Sequence, residues 1–382
     1  MSRGWRLVAL LSLTATASYL CRVNVSVAGV QMMKEFGLSQ EVMGRIFSAF
    51  LLGYAFCQIP GGMLADRFGA ARVLTWSALA WVVSIAWMSA PGMGVVSLLA
   101  ARLFLGVAEA PTFPASAQAI SRWMPEGARG LANGAVVAAI GLGSAIAPPL
   151  VTYVMTRSGW RAALLVSAVP ALAAGLTWLA VPTPAHRPVQ AKARAPMPRS
   201  RAFFLLTLSY TLQGYVGYIF VFWFYLYLVD VRHFDLLRGA LFGSLPWLLS
   251  IVSIPLGGAL YDRLGARRNL VPIAGLGGSG LLIAAGANTG SAWVAAVCLA
   301  LATALVLSVE GPFWATMTRI AGERAGSAGG VMNMGSNLGG FISPALTPIL
   351  ARWMGWDAAL MVSAAAAVVA ALLWLGIDEA RV

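Results

Sequence analysis

The sequence predicts an all-α membrane protein of twelve transmembrane helices, arranged as two pseudo-symmetric six-helix bundles with both termini in the cytoplasm. Three observations lead there. Of 382 residues, 59% are hydrophobic and 10% charged, with a mean hydropathy of +0.80, whereas soluble domains carry about 25% charged residues. Apolar runs of roughly 20 residues, enough to cross a ~30 Å hydrocarbon core as a helix, recur along the whole chain. The third observation is a duplication at one constant spacing. A β-barrel would alternate polar and apolar residues; "LVALLSL" at 7–13 and "AAAAVVAALLWL" at 364–375 do not.

The spans are expected at 7–30, 42–64, 72–90, 94–118, 130–155, 161–181, 202–229, 239–260, 270–288, 291–317, 327–350 and 358–377. The basic start and apolar run at the N-terminus resemble a signal peptide. The run continues to Gly29 and others follow, so it reads as an uncleaved first helix. With the N-terminus inside, the 26 Lys and Arg divide into 17 in inside segments, 7 in outside segments and two, Arg22 and Arg102, within the membrane. That bias follows the positive-inside rule. It also accounts for the net charge of +13 without nucleic acid. The stretch "PTPAHRPVQAKARAPMPRSR" is too polar to insert and reads as a cytoplasmic linker. The expected domains are therefore 1–182, the linker 183–201, and 202–382. Three scattered cysteines and two histidines give neither a disulfide framework nor a metal or haem site, and no cofactor is expected.

The duplication is read directly. "GGMLADRFGAARVL" at 61–74 matches "GGALYDRLGARRNL" at 257–270 in 9 of 14 positions, and "SGWRAALLVSA" at 158–168 matches "MGWDAALMVSA" at 354–364 in 8 of 11. Both pairs are offset by 196 residues, as are Gly143 and Gly339, and Pro148 and Pro344.

Charges inside the membrane mark functional candidates, because each costs a few kcal/mol at least. Arg22 lies about 12 Å from the outer end of its span, too deep to reach the interface. Ser18, Arg22 and Ser26 form a polar stripe at i, i+4, i+8. A guanidinium offers two parallel donors to a carboxylate, so Arg22 is read as gripping an anion. The plainer alternative is an ion pair with Glu109, and both hold if substrate and Glu109 compete. Arg102 and Glu109 are seven residues apart on one face of span four. Glu109 is the candidate proton carrier: burial favours a neutral carboxyl and a nearby arginine an ionised one. The alternative is a static Arg–Glu clamp. Glu310 is read either as a second titrating group or as a structural one. Tyr54 with Gln58, the aromatic span seven with Tyr215, Tyr218 and Trp223, and Asn333 with Asn337 add polar lining, or interhelical packing. The repeated D-R-x-G loops, with Asp66, Arg67 and Arg72 and with Asp262, Arg263 and Arg268, are read as a latch on the cytoplasmic face, against plain topology-setting charge.

The G-x-L-x-D-R-x-G-x-x-R loop, present twice, resembles the signature of the major facilitator superfamily. "YLCRVNVSVA", "EAPTFPA", "FW" at 313–314 and "GGVMNMGSNLGG" narrow the resemblance to the anion:cation symporter family, which includes hexonate and galactonate transporters, sialin and the vesicular glutamate transporters. That resemblance covers essentially the full chain. It implies substrate near the bilayer midplane and alternating access by rocking of one half on the other. It further implies proton-coupled uptake of an organic carboxylate such as a sugar acid, protons rather than Na+ as the coupling ion, a functional monomer and the bacterial inner membrane. By the resemblance Arg22 binds the carboxylate, Arg102 and Glu109 couple protons, and Tyr19, Tyr54, Tyr218, Trp314 and Asn333 contact substrate. Cys21 departs from the pattern: many bacterial relatives have Asp before the arginine, and Cys21 removes one of the two titrating groups proposed for them.

The rival reading is a proton-antiport exporter of drugs or metabolites. Such proteins carry G-x-x-x-G-P-x-x-G-G in span five. Here "GLGSAIAPPLV" has Ala147 in place of one glycine and no closing pair, and a buried arginine disfavours cationic drugs. An enzyme is not expected, since no nucleophile–base pair or nucleotide loop appears; "GLGGSG" at 275–280 reads as helix packing.

Overall fold

The computed structural model describes residues 3–181, 198, 200–322 and 325–377. Most of the expected linker, 183–197 and 199, lies outside the described residues. The chain folds as two compact units, Met1–Gln190 and Ala191–Val382, and the described secondary structure is entirely helical.

Unit 1 contains α1 (Arg3–Phe36), α2 (Gln40–Phe68), α3 (Ala70–Met88), α4 (Val95–Glu109), α5 (Thr112–Trp123) and α6 (Glu126–Leu179). Unit 2 contains α7 (Arg201–Phe222), the short α8 (Phe224–Leu226) running into a π-turn at Tyr227–Val231, α9 (Leu236–Arg263), α10 (Leu270–Asn288), α11 (Ala292–Ser308), α12 (Glu310–Ala321) and α13 (Ala325–Leu373). Side-chain caps set several starts. Ser39 accepts from the Val42 amide at 3.3 Å, Ser200 from Phe203 at 3.2 Å and Asp235 from Arg238 at 2.9 Å. Each satisfies a donor that the first helical turn leaves over.

Ten helices among the described residues are long and apolar enough to cross a membrane. Their outward faces are as apolar as their cores: Phe56 is 66% and Leu281 72% exposed. Helices apolar all round need lipid, not water, as their solvent. The expectation of twelve separate spans differs from these ten because spans five and six, and eleven and twelve, run on without a loop. The resulting stretches, 53 and 49 residues, are each long enough for two crossings. Both break at a glycine, Gly159 (φ 80°, ψ 167°) and Gly355 (φ 85°, ψ 162°). That region of backbone space is nearly closed to residues with a Cβ. The two glycines are 196 residues apart, the spacing of the duplication.

The repeat also governs packing. In unit 1, α1 lies along α6, α2 along α4, and α3 against α6; in unit 2, α7 lies along α13, α9 along α11, and α10 against α13. A Cβ on Gly143 would strike the Thr16 carbonyl and one on Gly339 the Thr211 carbonyl, so the same small residue lets the same pair of backbones touch in each unit. Trp178 and Trp374, again 196 apart, each anchor a core: Trp178 stacks on Trp123 at 6.1 Å, and Trp374 meets Phe313 edge-on at 5.1 Å.

Spans four and ten, expected over 94–118 and 291–317, run on as single stretches, Val95–Trp123 and Ala292–Ala321. Within each, the helical hydrogen bonding is interrupted once. The split in span four falls at Ala110–Pro111, and that in span ten at Val309, followed by Gly311 and Pro312. Proline removes a backbone donor and is tolerated at the start of a helix, where the donor has no partner in any case. These splits place Glu109 at the last residue of α4 and Glu310 at the first of α12.

Candidate functional site

The charged residues buried among those described are three, Arg22, Arg102 and Glu109, and all are in unit 1. Arg22, from the middle of α1, donates through Nε (3.0 Å) and Nη2 (2.5 Å) to a single oxygen of Glu109, Oε1. Ser18, one turn before Arg22, donates to the same oxygen at 2.7 Å. The other oxygen, Oε2, is buried with no hydrogen-bond partner among the described residues. Arg22 Nη1 donates to the Tyr19 hydroxyl at 3.1 Å.

Three aromatic rings enclose the guanidinium. Its central carbon lies 4.2 Å from the Tyr19 ring centroid, 4.7 Å from Tyr54 and 4.9 Å from Phe50. Each ring presents its negative face to the cation. Gln58 follows Tyr54 by one turn of α2. Arg102 stacks over Phe50 at 5.0 Å and donates to the Arg22 backbone carbonyl at 3.3 Å. Two guanidiniums therefore share this low-dielectric region with one carboxylate. Cys21 turns away from this cluster: its thiol points to the Ser167 carbonyl at 3.8 Å.

Unit 2 holds a second polar group without an arginine. Glu310 accepts from the Tyr210 hydroxyl at 2.7 Å and from Gln213 at 3.0 Å. Trp314 meets Tyr210 edge-on at 6.4 Å and is 39% exposed. Tyr218 donates to Asn337 Oδ1 at 3.3 Å, and Asn337 donates to the Asn333 carbonyl at 2.9 Å. Tyr218 stacks on Phe222 at 5.9 Å.

Of the residues expected from the sequence, Tyr19, Arg22, Tyr54, Arg102 and Glu109 come together in unit 1. Tyr218, Asn333 and Asn337 come together in unit 2, as do Glu310 and Trp314 through Tyr210. The loop residues are mostly exposed: Asp66, Arg67, Arg72, Asp262 and Arg263 face outward and Arg268 is half-buried. Asp66 accepts from Gln118 of α5 at 2.7 Å, and Arg67 lies 5.2 Å from the Phe68 ring. Sequence reasoning did not single out Phe50, Tyr210 or Gln213. The last two sit at i, i+3 on α7, a spacing of the kind that exposed Ser18 and Arg22.

The family model of the Major Facilitator Superfamily matches residues 11–344. This chain belongs to that superfamily. It is a membrane transporter and not an enzyme. Its relatives agree with the anion:cation symporter resemblance. It is 34% identical to the probable sulfoacetate transporter SauU of Cupriavidus necator over 94% of this chain and 90% of the relative. It is 26% identical to a D-galactonate transporter of Escherichia coli over 98% and 95%, and 25% identical to a hexuronate transporter of Bacillus subtilis over 95% and 92%. Among solved structures, a bacterial homologue of the human lysosomal transporter Spinster aligns with a TM-score of 0.83 at 18% identity, covering 100% of this chain and 98% of that one. A D-xylose–proton symporter aligns at 0.82 and 16%, covering 98% of each. At these identities the structural likeness speaks for the fold.

Proposed function

We propose that this transporter takes up a small organic anion together with protons, by alternating access, across a bacterial inner membrane that it crosses twelve times with both termini in the cytoplasm. The observation that carries the reading is the Arg22–Glu109 pair. Glu109 sits where a substrate carboxylate or sulfonate would sit, on the Nε/Nη2 edge of Arg22. Its Oε2 has no donor among the described residues and can take up a proton. Protonation removes the charge that holds Arg22, and the edge becomes available to an incoming anion. Binding of anion and proton then favour one another, as symport requires. Two buried guanidiniums against one carboxylate leave a net positive charge, which disfavours a cationic substrate and supports an anionic one. Arg102, braced on the Arg22 carbonyl, keeps that charge positive when Arg22 is engaged. Tyr19 and Tyr54 line the anion's seat, and Tyr218, Trp314, Asn333 and Asn337 supply hydrogen bonds and ring contact for the rest of the substrate. The D-R-x-G loops act as latches on the cytoplasmic side.

The relatives named for sulfoacetate, galactonate and hexuronate support a substrate among short acids with polar or second acidic groups. A thermal-shift screen of the purified protein against such acids, neutral sugars and lipophilic cations tests it. A ligand at 100 times its Kd stabilises the folded state by about 2.7 kcal/mol. Stabilisation by acids in wild type, absent in Arg22→Ala, supports the reading. Stabilisation by lipophilic cations alone would overturn it.

A further inference from the structure

The split of span ten gives Glu310 a setting that parallels Glu109 in one respect and opposes it in another. Both carboxylates stand at a helix break, at the end of α4 and at the start of α12. Both are hydrogen-bonded by the first helix of their unit, α1 or α7. Glu109 has a cation, and among the described residues Glu310 has none. The residue 196 positions after Arg22 is Tyr218, and among the described residues Glu310 forms no ion pair. Its partners are the neutral Tyr210 and Gln213. Gln213 is itself fixed by a 3.3 Å bond to the Val306 carbonyl, where α11 runs toward the break.

The elements packed against α12 supply no positive charge at this point. From α7 come Tyr210 and, further along, Tyr215 and Tyr218, with Arg201 at the helix start. From α9 comes Tyr261, bonded to Thr316 and Arg319 more than one turn along α12, with Asp262 and Arg263 beyond it. At the opposite end of α9, Arg238 pairs with Asp235. The remaining titratable side chains are Cys298 on α11, and Arg352 and Asp357 on α13 near Gly355.

A half-buried carboxylate with no counter-charge among the described residues is held less favourably than the neutral acid. Its partners suit both forms. A tyrosine hydroxyl and an amide nitrogen donate to the carboxylate, and the hydroxyl oxygen can accept from a carboxylic acid. We infer that Glu310, Tyr210 and Gln213 form a second proton-binding site, so that unit 2 takes up and releases a proton of its own during transport. A proton joins one carboxylate oxygen, the group passes from −1 to 0, and no other reactant is needed. The inference rests on the proton-coupled reading above.

An infrared pH titration of the purified full-length protein, without organic anion, tests it. Wild type is expected to show a protonated-carboxyl band that disappears as pH rises and is absent from Glu310→Gln but retained in Glu109→Gln. Tyr210→Phe, which keeps the carboxyl and the ring, is expected to shift the frequency of that band because a hydrogen-bond partner is lost; it gives the same information if Glu310→Gln fails to fold. A titration unchanged by both Glu310→Gln and Tyr210→Phe would overturn the assignment. Failure of the anion reading would show separately, as stabilisation by lipophilic cations alone in the thermal-shift screen.

Discussion

Arg22 is held by more than its ion partner, and that determines what happens when Glu109 lets go. A desolvated cation–π contact contributes about 2 kcal/mol, and three rings surround this guanidinium. The side chain therefore keeps its place when its carboxylate is neutral. Tyr54→Phe preserves the ring and is expected to leave anion affinity within about threefold, whereas Tyr54→Leu removes a contact of about 2 kcal/mol and should weaken binding roughly 30-fold; equilibrium binding checks both. Glu109→Gln keeps the shape but cannot ionise, so anion exchange across a liposome membrane should persist while proton-driven accumulation falls. Arg22, Arg102 and Glu109 were legible because charge in an apolar span is conspicuous. Phe50 was not, because a phenylalanine under an arginine and one facing lipid look alike in sequence.

Among the elements, the corners at Gly159 and Gly355 show how the duplication diverged. At the first, Glu35 at the end of α1 accepts from Trp160 at 2.6 Å and pairs with Arg161 at 2.7 Å. At the second, Arg232, just past the π-turn, lies 3.6 Å from Asp357. Positions 161 and 357 are repeat equivalents, and the charges are exchanged in both partners. Arg232 also donates to the Gly286, Ala287 and Thr289 carbonyls, which caps α10. Arg161 is 31% and Glu35 42% exposed, so solvent screening limits this pair to about 1 kcal/mol. Arg161→Glu should lower the melting temperature slightly and Glu35→Arg in the same chain should restore it. Gly159→Ala meets a larger cost, about 1–3 kcal/mol, because its backbone conformation excludes a Cβ; thermal unfolding distinguishes the two cases. The constant spacing of 196 made these corners visible as sequence. The breaks beside Glu109 and Glu310 were not visible, since apolar residues run straight through them and only the short prolines mark the turn.

At the scale of the whole molecule, membrane orientation rests on where Lys and Arg lie. Seventeen inside against seven outside, by the positive-inside rule, is the ground on which we propose both termini in the cytoplasm. A C-terminal fusion should accordingly give active green fluorescent protein and inactive alkaline phosphatase in bacterial cells. The superfamily was legible from the doubled loop alone, while the identity of the acid was not, because side chains that grip one carboxylate grip many. What joins the scales is the proposed competition between substrate and Glu109 for a single edge of Arg22. Proton uptake on anion binding, followed in weakly buffered solution with the purified protein and sulfoacetate or galactonate, measures that competition directly. Binding by wild type should take up protons, and Glu109→Gln should bind the same anion with that uptake reduced by about one proton per anion. Equal uptake in wild type and Glu109→Gln, or anion binding undiminished in Arg22→Ala, would contradict the account.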